Sequence, residues 1–181
     1  MQSRLRILGH PLHPMLIVFP IALFTVSVLF DLIYLVNGDA LFARFALWSI
    51  ALGVITGLTA AVFGFIDWVG LPGDTRAKRV GLIHGGGNVL IVVLFIVSWF
   101  LRLGDPEYAA NVLPFVLGLV GVGLALVTAW LGGELVYRLR VGVDDVAGLN
   151  ATNSLSESGV VSTGGSTTAE RENAATRTRT R

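Results

Sequence analysis

Residues 112–137 form a long apolar stretch that reads VLPFVLGLVGVGLALVTAWLGGELVY, with no charged residue before Glu134. A helix of this length, at a rise of about 1.5 Å per residue, is longer than the hydrocarbon core of a bilayer, which is about 30 Å thick. Three comparable runs precede it: Met15 to Val36, Leu41 to Trp68 and Val80 to Leu101. The sequence therefore predicts four transmembrane helices.

The composition agrees with lipid as the solvent of this chain. Of 181 residues, 54% are hydrophobic and 14% are charged, which is more apolar surface than a soluble core of this size could bury. The formal net charge of +1 argues against a nucleic-acid partner, because phosphate binding needs a concentrated excess of Lys and Arg. The chain has no cysteine, and this excludes disulfides, thiolate metal sites, iron–sulfur clusters and covalently attached c-type haem within it.

Short connections between the runs indicate that neighbouring helices are antiparallel. The predicted fold class is all-α: a cytoplasmic N-terminal segment (1–14), a four-helix transmembrane bundle (15–143) and a C-terminal tail (144–181). The tail is rich in Ser, Thr, Gly and Asn, and has too little apolar area to offset the entropy of ordering. We expect it to be disordered and cytoplasmic.

The distribution of Lys and Arg predicts how the bundle is oriented. By the positive-inside rule, the end with more of these residues is cytoplasmic, so we expect both termini in the cytoplasm and the bundle in the inner membrane. Arg44 and Arg102 lie at the other end. The basic residues of the cytoplasmic end are Arg4, Arg6, Arg76, Lys78, Arg79, Arg138 and Arg140.

An internal repeat is visible between the first and third runs. When His13 is laid over His84 without a gap, residues 23–27 (LFTVS) match residues 94–98 (LFIVS). The second and fourth runs align poorly, and membrane sequences use few residue types. A duplicated helical hairpin and a chance similarity both explain the match.

Polar and ionisable residues gather at the predicted cytoplasmic end. His10 and His13 lie in the GHPLHP string (9–14), where Pro14 suits the first helical position and His13 the cap. The topology brings four more residues to that end: His84, Asn88, Asp67 and Glu134. Ionisable groups in a membrane usually pair with one another or bind something.

These residues resemble a known family of bacterial membrane proteins called domain of unknown function 2231. The resemblance rests on the string at 9–14, on Gly64-Phe65-Ile66-Asp67-Trp68 and on Trp130-Leu131-Gly132-Gly133-Glu134. It covers about residues 9 to 143. It implies a four-helix inner-membrane protein without an assigned activity. Some relatives join this module to a Rieske-type iron–sulfur domain, which implies membrane redox work, but this chain lacks that domain and its cysteines.

The favoured hypothesis is an electron-transfer module that binds b-type haem between His13 and His84. Imidazoles on two helices of a bundle form a workable axial pair, and no cysteine is needed. His10 is the alternative to His13, the glycines after His84 would leave room for a macrocycle, and Asn88 or Asp67 would orient a ligand imidazole. By analogy, the electron partner would be a quinone or a separate iron–sulfur protein.

Three alternatives stay open. A non-haem Zn, Fe or Cu site would use His10, His13, His84 and Asp67 or Glu134, although their spacing matches no helical metal motif. A proton or ion path would use Asp31, Asp67 and Glu134, but offers only hydroxyl groups at mid-depth. A structural or partner-binding subunit would use the cluster to seal helix ends. No nucleophile with a base, phosphate loop or paired-carboxylate site appears, and we assign no enzyme class.

Overall fold

The computed structural model describes residues 2–157 of the chain, and within them it is a bundle of four long helices. The elements, in chain order, are β1 (Arg6–Ile7), β2 (His10–Pro11), α1 (Leu12–Leu16), α2 (Val18–Asn37), α3 (Ala40–Val69), α4 (Arg76–Arg102), α5 (Val112–Gly133), a π-helical turn (Glu134–Arg138) and α6 (Ser154–Glu157).

The four spans predicted from hydropathy are confirmed, with ends that differ by a few residues. Leu12–Asn37, Ala40–Val69, Arg76–Arg102 and Val112–Arg138 are each long and apolar enough to cross a membrane. Their outward faces carry exposed large apolar side chains, such as Leu126 at 72% and Trp130 at 67% exposure. Lipid is the environment in which such faces are stable.

The chain enters the first span through a small hairpin, and this shifts the predicted helix start. β1 and β2 pair antiparallel across a turn in which Leu8 and Gly9 both have positive φ. The hairpin keeps Pro11 extended at the cap position, and the Leu12 N–H donates to the Leu5 carbonyl. The expectation that His13 caps the helix and Pro14 begins it is therefore wrong: His13 lies inside the first turn.

A one-residue interruption at Ile17 separates α1 from α2. Pro20 has no N–H and cannot donate to the carbonyl of Leu16, so the regular helical ladder is weakened there. Ile17 still donates to the His13 carbonyl, and Ile21 donates to the Ile17 carbonyl, so the two pieces form one span.

The helices are arranged so that α2 and α4 face each other across the bundle. α2 packs on α3 and α5, and α4 packs on the same two helices. The core is built from Phe24, Val28, Ile50, Ile91 and Phe95. At its centre the rings of Phe24 and Phe95 stack, with centroids 4.0 Å apart and an interplanar angle of 5°.

Contacts across the bundle follow the repeat seen in the sequence. Phe24 and Phe95 are repeat equivalents, and each ring lies against a glycine of the following helix, Gly53 or Gly121. A Cβ at either glycine would come within 2.6 Å of a ring carbon. The numbering separates Phe24 from Gly53 by 29 positions and Phe95 from Gly121 by 26, which is why an ungapped alignment loses the second helix of each hairpin.

The structure describes the first part of the predicted tail. Residues 144–157 contain turns and α6, and they lie against the N-terminal segment through Asp144, which accepts from Gln2 at 2.9 Å and from Arg6 at 3.1 Å. The remaining residues of the predicted tail, 158–181, lie outside the described residues. The predicted disorder of that region stays a prediction.

Candidate histidine site at one end of the bundle

His13 reaches from the first span onto the backbone of α3. Its Nδ1 lies 2.9 Å from the Ala60 carbonyl oxygen. Its ring rests directly on Gly64, where a Cβ would come within 2.8 Å of the ring carbon Cε1. Only glycine leaves this space open, so the residue at position 64 is matched to the imidazole of His13.

His84 makes the equivalent contacts in the second hairpin. Its Nδ1 lies 2.9 Å from the Thr128 carbonyl oxygen of α5, and its ring lies beside Gly132. Asn88, one turn further along α4, places its side-chain nitrogen 3.2 Å from His84 Nε2 and 2.8 Å from the His84 carbonyl oxygen. Thr128 Oγ1 then donates to Asn88 Oδ1 at 3.2 Å.

The hydrogen bonds assign the same tautomer to both imidazoles. A carbonyl oxygen only accepts, so Nδ1 must carry the proton in His13 and in His84. The other ring nitrogen, Nε2, then has its lone pair in the plane of the ring. The two ring centroids are 6.4 Å apart, and the rings are nearly perpendicular at 86°. The structure therefore brings His13 and His84 together at one end of the bundle.

His10 and the two acids of the predicted cluster bond partners of their own. His10 Nε2 faces Ser154 Oγ at 3.5 Å. Asp67 accepts from Ser3 Oγ through both oxygens at 2.8 Å, and from the Arg4 backbone N–H at 2.9 Å. Glu134 forms an ion pair with Arg76 at 2.7 Å.

The non-haem metal set is consequently not assembled. Among residues 2–157, no group of three or more His, Asp or Glu side chains is placed to hold a metal ion. The two acids considered for such a site, Asp67 and Glu134, instead fix the N-terminal segment and the start of α4. The three glycines after His84 do not share one environment. A Cβ at Gly85 or Gly86 would meet nothing within 4 Å, whereas Gly87 faces the Thr128 methyl group.

A buried ion pair at the far end was missed by the sequence reasoning. Arg102 reaches across to Asp31, and both side chains are fully buried. The sequence assigns Asp31 to a possible proton or ion path and counts Arg102 only among the basic residues of the far end, so it does not pair them. The internal repeat indicates this pairing, because Asp31 and Arg102 are separated by the same number of positions as His13 and His84.

The hydroxyl groups considered for such a path bond to the backbone. Ser27 donates to the Phe24 carbonyl at 2.7 Å, and Ser98 donates to the Pro114 carbonyl at 2.9 Å. The stacked rings of Phe24 and Phe95 lie between these serines and the histidine end of the bundle.

The segment outside the membrane next to the histidines is held by a further carboxylate. The backbone N–H of Val146 and the guanidinium of Arg6 hold the pKa of Asp144 below its ordinary value of 3.8, since both favour the charged form. Nearby, Lys78 Nζ lies 3.9 Å above the Trp68 ring and donates to the Trp68 carbonyl at 2.7 Å. These contacts connect the N-terminal segment and the loop after α3 to the bundle end.

Comparison with known proteins gives one match. A family model described as predicted membrane protein, domain of unknown function 2231, matches residues 9–145. No curated protein and no solved structure matches the chain.

Proposed function

Because this chain belongs to the family of predicted membrane proteins called domain of unknown function 2231, we propose its function from the histidine site alone. The family name carries no activity. The proposed function is a membrane electron-transfer module that binds b-type haem between His13 and His84. The observation that carries the proposal is the proximity of these two imidazoles at one end of the bundle, with both Nδ1 atoms on backbone carbonyls.

The hydrogen bonds support axial ligation. Ligand histidines in metalloproteins usually donate one ring N–H to a carbonyl or carboxylate, which fixes the ring and makes the other nitrogen more basic. Ala60 and Thr128 supply these carbonyls for His13 and His84. The ring centroids lie 6.4 Å apart, so the two imidazoles are close enough to be candidates for holding one group.

The number of protein ligands favours haem over a bare metal ion. Zinc, copper and non-haem iron sites take three or four protein side chains, and the described residues offer only two near each other. Haem brings four nitrogens of its own, so two imidazoles complete its coordination. Bound there, it would supply a one-electron carrier, while the chain would hold its ligands and exclude water.

The proposed orientation places this site near the cytoplasm. Basic residues such as Arg4, Arg76 and Arg79 lie near the histidine end. At the other end, Arg44 is the only unburied cation among residues 2–157, because Arg102 is buried against Asp31. We propose the inner membrane, cytoplasmic termini, and a quinone or a separate iron–sulfur protein as electron partner.

A second candidate function is a structural subunit without a cofactor. The observation that favours it is that each histidine already joins two helices, His13 linking α1 to α3 and His84 linking α4 to α5. Asn88 also occupies the free nitrogen of His84. In that case the histidines stabilise the two hairpins, and no chromophore is present.

The test is an absorption spectrum of protein purified in mild detergent from haem-replete cells, oxidised and then reduced with dithionite, with metal analysis of the same sample. The proposal expects a sharp α-band in the reduced protein and about one iron per chain. The variants His13→Asn and His84→Asn keep a side-chain N–H that can donate to Ala60 or Thr128 but lack the Nε2 ligand. Both should lose the band.

His10→Ala is the matched control, because this histidine is exposed and bonds only Ser154 among the described contacts. It should keep the full α-band. A colourless, metal-free protein whose thermal unfolding is lowered by the two Asn variants would favour the structural subunit. A band that survives both Asn variants would place the haem elsewhere.

A further inference from the structure

The two histidines are equivalent in their Nδ1 contacts but not at Nε2. Asn88 bonds His84 Nε2, whereas Nε2 of His13 has no hydrogen-bond partner within residues 2–157. The repeat explains the difference. The position equivalent to Asn88 in the first span is Ile17, which carries no polar group, so one imidazole nitrogen is covered and the other is open.

The partner of His84 is held in a closed ring of hydrogen bonds. His84 Nδ1 donates to the Thr128 carbonyl, the Thr128 hydroxyl donates to Asn88 Oδ1, and the Asn88 amide group donates back to His84 Nε2. A second bond from Asn88 to the His84 carbonyl fixes the direction of the amide. In the first hairpin the residue equivalent to Thr128 is Ala60, so this ring cannot form there.

We propose that His13 is the permanent ligand of this site and His84 the exchangeable one, and that the ligand which replaces His84 is a small Lewis base able to accept a hydrogen bond from Asn88. Diatomic molecules and small anions belong to this class. The inference rests on the proposed haem site and deepens it, by turning an electron carrier into a site that also binds a small ligand.

The physical reason is competition for one lone pair. When His84 binds a metal, Nε2 must give up its bond with Asn88, and the amide N–H loses its acceptor in a partly buried place. His13 gives up nothing. A small ligand that replaces His84 returns the imidazole to Asn88 or offers the amide a new acceptor. The exchange swaps one electron-pair donor for another, and no electron or proton is transferred.

The test is a carbon monoxide titration of the dithionite-reduced full-length protein, followed by its absorption spectrum. The variant Asn88→Leu removes the competing donor at nearly constant volume and should weaken carbon monoxide binding about three- to tenfold, because one hydrogen bond no longer opposes ligation by His84. The matched control Ile17→Asn introduces an amide at the equivalent position of the first span. It should strengthen carbon monoxide binding, because the new amide would compete for the lone pair on Nε2 of His13 as Asn88 does for that of His84.

Two outcomes would overturn the inference while leaving the haem proposal intact: a haem-containing wild type that binds no carbon monoxide, or an Asn88→Leu variant that binds it as tightly as wild type. A colourless protein would sink the haem proposal instead. In that sample, the nitrogen NMR shifts of ¹⁵N-labelled histidines still test whether Asn88 bonds Nε2 of His84 while Nε2 of His13 stays without such a bond. Asn88→Leu should move the Nε2 shift of His84 and leave His13 unchanged; equal shifts in both proteins would refute it.

Discussion

Asp31 and Arg102 form a two-pronged ion pair that is closed to both water and lipid. Arg102 Nη1 lies 2.5 Å from Asp31 Oδ1, Nη2 lies 2.6 Å from Oδ2, and neither side chain is exposed. Ser98 accepts a further bond from Nη2 at 3.3 Å. The two residues are repeat equivalents, so the pair joins the first helices of both hairpins at the far end. At the near end, His13 and His84 are also repeat equivalents, but each bonds the second helix of its own hairpin.

Breaking this pair should destabilise the protein strongly. Asp31→Ala or Arg102→Ala leaves one buried charge without its partner, which typically costs about 3–5 kcal/mol. The exchanged variant Asp31→Arg with Arg102→Asp should recover most of that loss, because Ser27 is the repeat equivalent of Ser98 and lies near the new arginine. Thermal unfolding in detergent, followed by circular dichroism, measures all three. An exchanged variant no more stable than the single variants would show that the two positions are not equivalent.

The glycine under His13 should be intolerant of alanine. In Gly64→Ala the new Cβ would lie 2.8 Å from His13 Cε1 and 2.9 Å from Nδ1, so the imidazole must leave its bond with the Ala60 carbonyl. We expect loss of about 1–3 kcal/mol of unfolding free energy and of any His13-dependent absorption. Gly132→Ala should act more weakly, because its Cβ lies 3.2 Å from the His84 ring.

Gly123→Ala is the control for these two variants. A Cβ there meets nothing within 4 Å, and alanine favours a helix over glycine by up to about 1 kcal/mol. Its stability should equal or exceed that of wild type. If Gly64→Ala has the same stability and the same spectrum as Gly123→Ala, the close contact between α3 and His13 contributes neither to folding nor to the histidine site.

The sequence predicts the four spans, their order and the arrival of His13 and His84 at the same end of the bundle, because these follow from hydropathy and short connections. It does not predict which carboxylates are left without a protein partner and could bind a metal or a cofactor. Asp67 and Glu134 reach the expected end, but Ser3 and Arg76 take them, and such choices depend on side-chain directions that hydropathy does not determine. The offset that links His13 to His84 could have revealed the Asp31–Arg102 pair.

The contact between Asp144 and the N-terminal segment should be lost in acid. Because the pKa of Asp144 in the folded protein lies below its ordinary value of 3.8, the charged form is favoured by folding. The contribution to stability is complete above that ordinary value, and is lost as the pH falls through the lower folded pKa. Protection of the Val146 amide, which donates to Asp144 Oδ1 at 3.3 Å, reports the contact in hydrogen exchange corrected for the intrinsic rate.

Asp144→Asn is the control for that measurement. It cannot be ionised, so its Val146 amide should be as weakly protected near neutral pH as that of wild type in acid, and its corrected rate should not vary with pH. A wild-type rate that is flat down to about pH 2 would contradict the role of the carboxylate.

The orientation of the bundle can be tested in a background without cysteine, since the natural chain has none. Gly73 and Gly104 lie in loops at opposite ends of the bundle, and a Cβ at either meets nothing within 4 Å. Gly73→Cys and Gly104→Cys should therefore fold like wild type. With a membrane-impermeant maleimide on intact cells, we expect Gly104→Cys to react at once and Gly73→Cys only after permeabilisation.

The opposite labelling pattern would invert the proposed orientation and move the histidine end to the outer side of the membrane. The haem proposal would survive, because the geometry of His13 and His84 does not depend on which side they face. Its electron partner would change, since a cytoplasmic iron–sulfur protein could no longer approach the site. Labelling of both variants in intact cells would contradict the four-span topology itself, because the single crossing by α4 between residues 73 and 104 requires their loops to lie on different sides.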